Sequence, residues 1–266
     1  MGALSTVSAL PGSAVPEDLR RFLAEHPRPA IAFSGGADSS YLLYAAASCG
    51  TDAKAYFVKS AFVPEFERED AVRTAGELGV PLEIIEADVL ADPALRANPA
   101  DRCYLCKKKV FGAILEKAAE DGRACVMDAT NASDDPSGRP GMRALPELGI
   151  LSPLRECGLA KPEIRRLSHE AGLWTWDLPS YSCLATRVPE GMPLTEDILS
   201  RTEHAENGAR ALGFSDIRIR ARPDGKALAD ITEGQQDLLE RRRPELESLV
   251  LEYYSGIEYG TRRPHP

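Results

Sequence analysis

The chain has 266 residues, of which 43% are hydrophobic and 27% are charged. This balance is typical of a globular protein and excludes a chain that is disordered or fibrous throughout. Lysine and arginine total 32 against 41 acidic residues, a formal net charge of −9, which argues against holding nucleic acid mainly by phosphate neutralisation. No run approaches the ~20 apolar residues of a membrane helix, and the N-terminus lacks a signal-peptide pattern, so we expect a cytoplasmic location.

Short β-rich runs alternate with helical patterns from Pro29 to about Asp128, which predicts an α/β fold with a parallel sheet covered by helices. The predicted strands are 29–33, 53–59, 81–87 and 124–128, and the predicted helices between them are 38–48, 64–78 and 102–120. The segment 129–160 is rich in Gly, Pro, Asp and Asn and is longer than an ordinary connection, a kind of loop that often carries function. A further helix is predicted over 162–171.

A Pro- and Gly-punctuated stretch, 174–193, indicates a boundary. The pattern after it predicts a helix over 195–212, strands over 216–221 and 226–231, and a helix over 233–252. We therefore expect a domain over 1–188 and a small α+β domain over 189–266, which would contribute to substrate binding and oligomerisation. The residues after Tyr254 are predicted to form a loose tail.

Six cysteines are present: Cys49, Cys103, Cys106, Cys125, Cys157 and Cys183. An even count suits disulfides in short secreted scaffolds, but in a chain of this size without a signal peptide we expect reduced thiols. Cys49 and Cys125 lie in apolar surroundings and are interpreted as small packing residues. Cys157 is interpreted as incidental, which leaves three cysteines to explain.

The strongest local signal is Ser34-Gly35-Gly36-Ala37-Asp38-Ser39-Ser40, which follows the first predicted strand and opens the first predicted helix. Adjacent glycines allow close approach of a ligand, and a helix N-terminus flanked by hydroxyls favours an anion, so we expect a phosphate ligand. The pattern has no Walker A lysine and no GxGxxG spacing, and it therefore fits neither a P-loop NTPase nor a dinucleotide site. The simpler alternative is a tight turn in which Asp38 only caps the helix.

The stretch SGGADS resembles the PP-loop of the N-type ATP pyrophosphatases, Rossmann-like enzymes that cleave ATP between its α and β phosphates and adenylate a substrate. The resemblance implies that this loop holds the pyrophosphate and that Asp38 helps to place Mg²⁺. Four further stretches, together with 159–167, are similar to the LarE family of ATP-dependent sulfur transferases, over roughly residues 17 to 235. They are Asn98–Lys107, Asp128–Asn131, Arg139–Gly141 and Pro179–Arg187.

The LarE resemblance implies sulfur transfer to pyridinium-3,5-biscarboxylic acid mononucleotide during synthesis of a nickel-pincer cofactor. A ring carboxylate is adenylated, a protein-borne sulfur attacks, AMP leaves and a thiocarboxylate forms. Cys183 stands at the position of the sulfur-handling cysteine. In one branch of the family that cysteine gives up its own sulfur, and in another it helps to hold a [4Fe-4S] cluster that carries an extra sulfide.

Cys103 and Cys106 form a C-x-x-C at the start of a predicted helix, where the helix dipole favours thiolates. With Cys183 they would give a [4Fe-4S] cluster three protein ligands and one open iron, so the chain resembles the cluster branch. Three alternatives stay open: sacrificial donation by Cys183, a structural zinc completed by Cys157, and a redox disulfide between Cys103 and Cys106.

Arg218, Arg220 and Arg222 alternate with apolar residues, which predicts three guanidinium groups on one face of a strand. Guanidinium groups bind phosphate well, although such a face can simply be exposed and paired with acids. The family resemblance implies that Arg218 and Arg220 hold the substrate phosphate. Glu206 and Asp230 are candidate metal or substrate contacts.

The resemblance also places Thr130 and Asn131 near the nucleotide and Arg187 beside the adenylated carboxylate. Lys161 and Arg165 recur in related sulfur-transferring pyrophosphatases, but both could also face water. The expected partners are a small mononucleotide, further copies of the chain and other proteins of nickel-pincer cofactor synthesis, without nucleic acid or membrane. Two other functions stay open: thiolation of tRNA, and a nucleotide-binding regulatory module with a structural zinc.

Overall fold

The computed structural model describes residues 14–135 and 140–263. Four strands near the N-terminus form one parallel sheet: β1 (Pro29–Ala32), β2 (Lys54–Lys59), β3 (Leu82–Glu86) and β4 (Cys125–Met127). Their order across the sheet is β3-β2-β1-β4, and every neighbouring pair is parallel. The chain leaves β1 on one side towards β2 and returns to its other side as β4. The gap beyond the carboxyl ends of β1 and β4 is therefore where ligands bind in such sheets.

Eight helices of the described residues accompany this part of the chain: α1 (Glu17–Glu25), α2 (Ala37–Ser48), α3 (Glu65–Leu78), α4 (Pro93–Arg96), α5 (Arg102–Glu120), α6 (Ala144–Glu147), α7 (Pro153–Glu156) and α8 (Lys161–Glu170). One core cluster joins Ala30, Tyr56 and Val126 from three neighbouring strands to Phe111 and Ile114 of α5. This packing explains why the strands read as short, nearly continuous apolar runs, as in a sheet that is covered by helices.

Helix α2 is enclosed on every side. The six residues from Tyr41 to Ala46 have no exposed surface, since the helix packs against α1, α3, α8 and the 3₁₀ turn Trp174–Asp177. A helix that is apolar all round has to be buried, and the run YLLYAAA meets that condition. The loop that precedes α2 is consequently attached to the most enclosed helix of the sheet.

The C-terminal part contains α9 (Glu196–Ala211), β5 (Ile217–Ala221), β6 (Ala227–Thr232), α10 (Gln236–Leu251) and β7 (Ile257–Arg262). β5 and β6 form an antiparallel hairpin, and β7 lies parallel to β6 after a crossover through α10. The hairpin register pairs buried residues with each other, Ile217 with Ile231 and Ile219 with Ala229. This period-2 arrangement gives the small sheet one apolar face.

The structure confirms the expected fold class, a parallel α/β sheet with a small C-terminal α+β part. The prediction of a loose tail after Tyr254 is wrong, because 257–262 forms β7. Helix α1 was not expected, and the segment 129–160 contains α6, α7 and a bridge from Met127 to Leu151 within its described residues. No helix among the described residues has both the length and the apolar character needed to cross a membrane.

The chain divides into two compact units. The first comprises residues up to Lys59, then Glu65–Ala87 and Cys103–Leu178; the second comprises Ser60–Pro64, Asp88–Arg102 and the residues from Pro179 onward. Residue 188, the expected end of the first domain, lies inside the second unit, because the stretch before it contacts β5 and α9. The functional division into two domains stays a prediction.

Candidate active site

The PP-loop, residues 34–40, leads from the carboxyl end of β1 into α2. Gly35 has a φ of +76°, a conformation that side chains disfavour. A Cβ at Gly35 would lie 3.0 Å from the backbone nitrogen of Ala71 and 3.1 Å from the carbonyl oxygen of Glu67, both in α3. Gly36 has a φ of −75°, and its Cβ would meet only Ser34 Oγ, at 3.5 Å. The fold therefore requires glycine at position 35. At position 36 the fold does not require glycine, and the close approach of a ligand would be the reason for one.

Two buried hydroxyls brace this loop from inside. Ser39 Oγ donates to the Gly36 carbonyl over 3.1 Å, and Ser40 Oγ donates to the Gly35 carbonyl over 3.3 Å. Ser34 Oγ lies 3.0 Å from Ser39 Oγ, and Ser34 is exposed. Of the three predicted serines, Ser34 is therefore the one that faces solvent, while Ser39 and Ser40 hold the loop in shape.

Asp38 lies in the first turn of α2 and is held on one side only. Its Oδ2 accepts hydrogen bonds from Lys161 Nζ over 2.9 Å and from Asn131 Nδ2 over 3.2 Å. Its Oδ1 is buried and has no hydrogen-bond partner among the described residues. Carboxylate oxygens are ligands that Mg²⁺ prefers, so the residues present fit a magnesium ion at this oxygen.

The segment after β4 approaches the PP-loop, as expected for neighbouring parallel strands. Asn131 is buried and connects to Asp38 through its amide, while its Oδ1 accepts from the Ser133 backbone over 2.8 Å. Thr130 Oγ1 donates instead to Asp128 Oδ2. The structure thus brings Asn131 to Asp38 and turns the Thr130 hydroxyl towards Asp128.

Cys103 and Cys106 lie in the first turn and a half of α5, one helical turn apart. Gly141 packs against Cys103: a Cβ there would lie 3.1 Å from the Cys103 carbonyl oxygen and 3.2 Å from Lys107 Cδ. Arg139, which precedes it in the predicted motif, lies outside the described residues. No disulfide joins the six cysteines, all of which the structure describes. The described segments contain no group of three or more His, Cys, Asp or Glu side chains placed to hold a metal ion.

Cys183 is half-buried in the second unit, in a segment that we name the cysteine loop, residues 179–187. Four arginines each donate to a different backbone carbonyl of this loop: Arg218 to Ser180 (2.7 Å), Arg187 to Ser182 (2.9 Å), Arg102 to Ala185 (3.0 Å) and Arg220 to Thr186 (2.8 Å). The loop backbone is consequently fixed at both ends and in the middle by charged donors.

Arg187 and Glu206 form a buried ion pair beneath the cysteine loop. Arg187 is 1% exposed, and its Nε lies 2.7 Å from Glu206 Oε1. Burial opposes the charge of Arg187, but the Glu206 carboxylate and its hydrogen bonds outweigh this effect and raise the pKa of the guanidinium. Glu206 also accepts from the Ile219 backbone over 2.9 Å and from Tyr181 Oη over 2.6 Å. Hydrogen-bond donors of the protein thus occupy both carboxylate oxygens of Glu206, the residue that was a candidate to contact a metal or the substrate.

Arg218 and Arg220 do not share one open face. Arg218 is 6% exposed, and burial, followed by the charge of Arg187, lowers its pKa to about 10. Arg220 is half-buried, and its Nε lies 2.6 Å from Asp230 Oδ2, which brings two further predicted residues together. Arg222 lies beyond β5 and pairs with Glu258 at the surface. Arg218 Nη1 also lies 3.4 Å from Asp216 Oδ1, so an acidic residue already faces this buried guanidinium.

The structure gives three residues contacts at the candidate site that the sequence did not indicate. Lys161 could equally have faced water, yet it contacts Asp38. Asn98 is fully buried with a φ of +54°, and its amide lies within 3.4 Å of three carbonyls, those of Val188, Pro189 and Met192. Tyr181 donates to Glu206. Asn98 and Tyr181 both belong to stretches that carry the family resemblance, and this membership was the sequence signal that could have identified them as site residues.

The parallel sheet, the glycine loop after β1 and the buried Asp38 oxygen without a hydrogen-bond partner among the described residues define a Rossmann-like domain of the PP-loop class. No protein-family model matches the chain. It is 37% identical over 207 residues to an uncharacterized protein of Synechocystis sp., covering 77% of each chain, and 31% identical over 208 residues to an uncharacterized protein of Methanocaldococcus jannaschii, covering 78% of each.

A third relative has a named activity. The chain is 33% identical over 204 residues to the pyridinium-3,5-bisthiocarboxylic acid mononucleotide synthase of Lactiplantibacillus plantarum, which covers 76% of this chain and 74% of the relative. The chain therefore belongs to the family of this synthase, the LarE family, and is an enzyme of that family.

Proposed function

We propose that this enzyme transfers sulfur to pyridinium-3,5-biscarboxylic acid mononucleotide at the expense of ATP and so makes the thiocarboxylate precursor of a nickel-pincer cofactor. The observation that carries the proposal is the likeness to the named synthase over three quarters of both chains. The Asp38 site and the cysteine loop support it, because they provide the two chemical elements that such a reaction needs, a place for nucleotide phosphates and a sulfur.

The first half-reaction would take place at the PP-loop. A substrate carboxylate oxygen attacks the α-phosphorus of ATP, the bond to the β-phosphate bridging oxygen breaks, and pyrophosphate leaves. Ser34, Gly35, Gly36 and the N-terminus of α2 would hold the phosphates. Asp38 Oδ1 would hold Mg²⁺, which supplies charge neutralisation to the phosphates when bound. Lys161 adds a positive charge beside Asp38, and Asn131 orients that carboxylate.

The second half-reaction would use the second unit. Arg218 and Arg220 would bind the substrate phosphate, with Asp230 setting the orientation of Arg220. Arg187 would act beside the adenylated carboxylate by holding the cysteine loop. Glu206 would contribute by fixing Arg187, and a direct substrate or metal contact through Asp230 remains part of the proposal.

For the sulfur carrier we propose a [4Fe-4S] cluster held by Cys103, Cys106 and Cys183, whose open iron would carry a sulfide when the cluster is bound. Three thiolates are the donor set that such a cluster needs, and the proposal rests on the residue types and the family resemblance, because the described residues contain no group of three placed to hold a metal ion. Further support comes from Arg102, the residue before Cys103 in the chain, which donates to the carbonyl of Ala185, two residues after Cys183. Sacrificial donation by Cys183 is the alternative that the same experiment decides.

The experiment is anaerobic purification followed by absorbance, iron and sulfide assays and a substrate-dependent pyrophosphate assay. We expect a brown protein with about four irons per chain that loses its iron on Cys103→Ala but keeps it on Cys157→Ala. A colourless protein whose Cys183 becomes lighter by one H₂S after turnover would show that Cys183 donates its own sulfur and would overturn the cluster. Pyrophosphate release that does not depend on the pyridinium dicarboxylate would overturn the proposed function.

A further inference from the structure

Tyr181 lies two residues before Cys183, and its ring is surrounded by cations. The ring centroid is 4.5 Å from the guanidinium carbon of Arg187, 4.7 Å from that of Arg218 and 5.1 Å from that of Arg210. Cations at such distances are attracted to the electron-rich face of an aromatic ring. Two of these three arginines also donate to carbonyls of the cysteine loop. The ring is thus a shared contact of two of the four arginines that fix the loop.

The hydroxyl of Tyr181 belongs to a closed network of hydrogen bonds that includes one ion pair. It donates to Glu206 Oε2 over 2.6 Å, Glu206 pairs with Arg187, and Arg187 Nη1 donates to Ser182 O and Ser182 Oγ. Ser182 is the residue between Tyr181 and Cys183. Tyr181 and Ser182, the two residues before Cys183, are therefore linked to each other through the buried Arg187–Glu206 ion pair. Tyr181 Oη supplies one of the hydrogen bonds of this closed network.

We propose that Tyr181 is a positioning residue for Cys183 in the sulfur-transfer half-reaction, an inference that rests on the proposed function. In that step the sulfur held beside Cys183 would form a bond to the carbonyl carbon of the acyl-adenylate and give up the bond to its carrier, while the bond from that carbon to the AMP oxygen breaks and AMP leaves with the electron pair. When the loop is displaced, water attacks the same carbon instead and regenerates the carboxylate with AMP. A defect at Tyr181 therefore uncouples ATP cleavage from thiocarboxylate formation.

The test compares Tyr181→Phe with Tyr259→Phe in the full-length protein. Tyr259 Oη donates to Glu247 over 3.1 Å in the same unit, so its variant removes a similar tyrosine–glutamate bond. The readout is thiocarboxylate formed per pyrophosphate released. We expect this ratio to fall about 10- to 100-fold in Tyr181→Phe, the scale of loss expected from a small misplacement of a reacting group, with little change in pyrophosphate release. Tyr259→Phe should keep the wild-type ratio.

Hydrogen exchange of the peptide that covers 182–186 gives a second readout that needs no activity. We expect faster exchange there in Tyr181→Phe only. An unchanged ratio and unchanged exchange would overturn the inference, as would a Tyr181→Phe protein that does not fold, since Tyr181 would then be a folding residue. A wild-type protein without pyrophosphate release overturns the proposed function instead, and the exchange comparison then still decides whether Tyr181 orders the cysteine loop.

Discussion

Gly35 and Gly36 are adjacent in the sequence but meet different physical demands. Gly35 has a positive φ, and a Cβ there would lie only 3.0 Å from backbone of α3, whereas Gly36 has an ordinary extended conformation in which a Cβ would make one ordinary contact, with Ser34 Oγ. Neighbouring backbone cannot move aside as a flexible side chain can. The two positions therefore separate the glycine that the fold needs from the glycine that a ligand needs.

We expect Gly35→Ala to lower the free energy of unfolding by about 1–3 kcal/mol, because the alanine is strained in φ and collides with α3. Gly36→Ala should change it by less than about 1 kcal/mol while weakening ATP binding, since its Cβ would occupy the approach of a phosphate. Urea unfolding and nucleotide titration measure the two effects. Equal stability losses in both variants would contradict this separation.

At the scale of elements, β7 leaves room for Asp230 of β6, a residue that we propose to act in substrate binding. Gly260 of β7 is paired with Asp230 of β6, and a Cβ at Gly260 would overlap Asp230 Oδ1. Asp230 in turn holds Arg220 through its other oxygen. β7, which the sequence pattern does not predict, therefore leaves the space in which the Arg220–Asp230 pair forms.

Gly260→Ala is expected to displace Asp230 and to destabilise the protein by about 1–3 kcal/mol through overpacking. It should also raise the KM for the mononucleotide more than it lowers kcat, because Arg220 loses its orientation. Gly234→Ala is the matched control, since a Cβ there meets nothing within 4 Å. Urea unfolding and steady-state kinetics with both variants test this, and an effect of equal size in the control would contradict it.

A second element contact joins β2 to the end of α5. Lys54 Nζ lies 2.7 Å from Asp121 Oδ2, and Tyr56 Oη donates to the same oxygen over 2.6 Å. These hydrogen bonds, that of Lys54 first, lower the pKa of Asp121 below its ordinary value of 3.8. A lowered carboxyl pKa stabilises the fold above the unfolded-state value, and this contribution is lost as the pH falls through the folded-state value.

Asp121→Asn should therefore be less stable than the wild type at neutral pH, and the difference should shrink as the pH falls below about 4, where Asp121 takes up its proton. Glu116→Gln, a change at an exposed position of α5, serves as the control. Urea unfolding between about pH 3 and 7 measures both. A difference between Asp121→Asn and the wild type that is the same at every pH would rule out this linkage.

The elements with clear periodicity could be predicted from the sequence, whereas those that depend on distant partners could not. The parallel sheet and its helices have apolar runs and glycine or proline boundaries that identify them locally. β7 has two glycines nearby and few apolar residues, and its stability comes from pairing with β6 across the whole of α10. For the same reason the contact of Lys161 with Asp38 had no local signal.

The candidate site likewise has a part that could be predicted from the sequence and a part that could not. The PP-loop residues occupy one continuous stretch, so their grouping follows from the sequence, and the structure places Asn131 beside them. The four arginines that donate to carbonyls of the cysteine loop come from three separate stretches of the chain, since Arg218 and Arg220 share β5. Alternation correctly placed Arg218 and Arg220 on one strand, but only the packing of β5 against the loop shows that both donate to loop carbonyls.

At the scale of the whole molecule, a net charge of −9 coexists with a local concentration of arginines around Tyr181. These arginines are engaged with carbonyls, Glu206 and the ring, so they do not form an extended basic surface. Recognition of a long polyanion requires many accessible cations along its backbone. The distribution of charge suits a single phosphate.

We therefore expect no binding of tRNA at about physiological ionic strength, and no stimulation of pyrophosphate release by tRNA. Fluorescence anisotropy of a labelled tRNA, with a basic RNA-binding protein as the positive control, measures the first, and the pyrophosphate assay measures the second. Salt-sensitive binding in the micromolar range with tRNA-dependent turnover would indicate an RNA substrate and contradict the mononucleotide assignment.

The enclosure of α2 has a thermodynamic consequence for nucleotide binding. Ser39 and Ser40 satisfy the PP-loop carbonyls from within the protein, and the helix residues behind them, from Tyr41 to Ala46, are fully buried. The conformational entropy of ordering this loop is thus lost when the protein folds and not when the nucleotide arrives. In calorimetric terms, phosphate binding at Gly36 should resemble the docking of a rigid ligand into a rigid receptor, with the entropy change dominated by released water and ions.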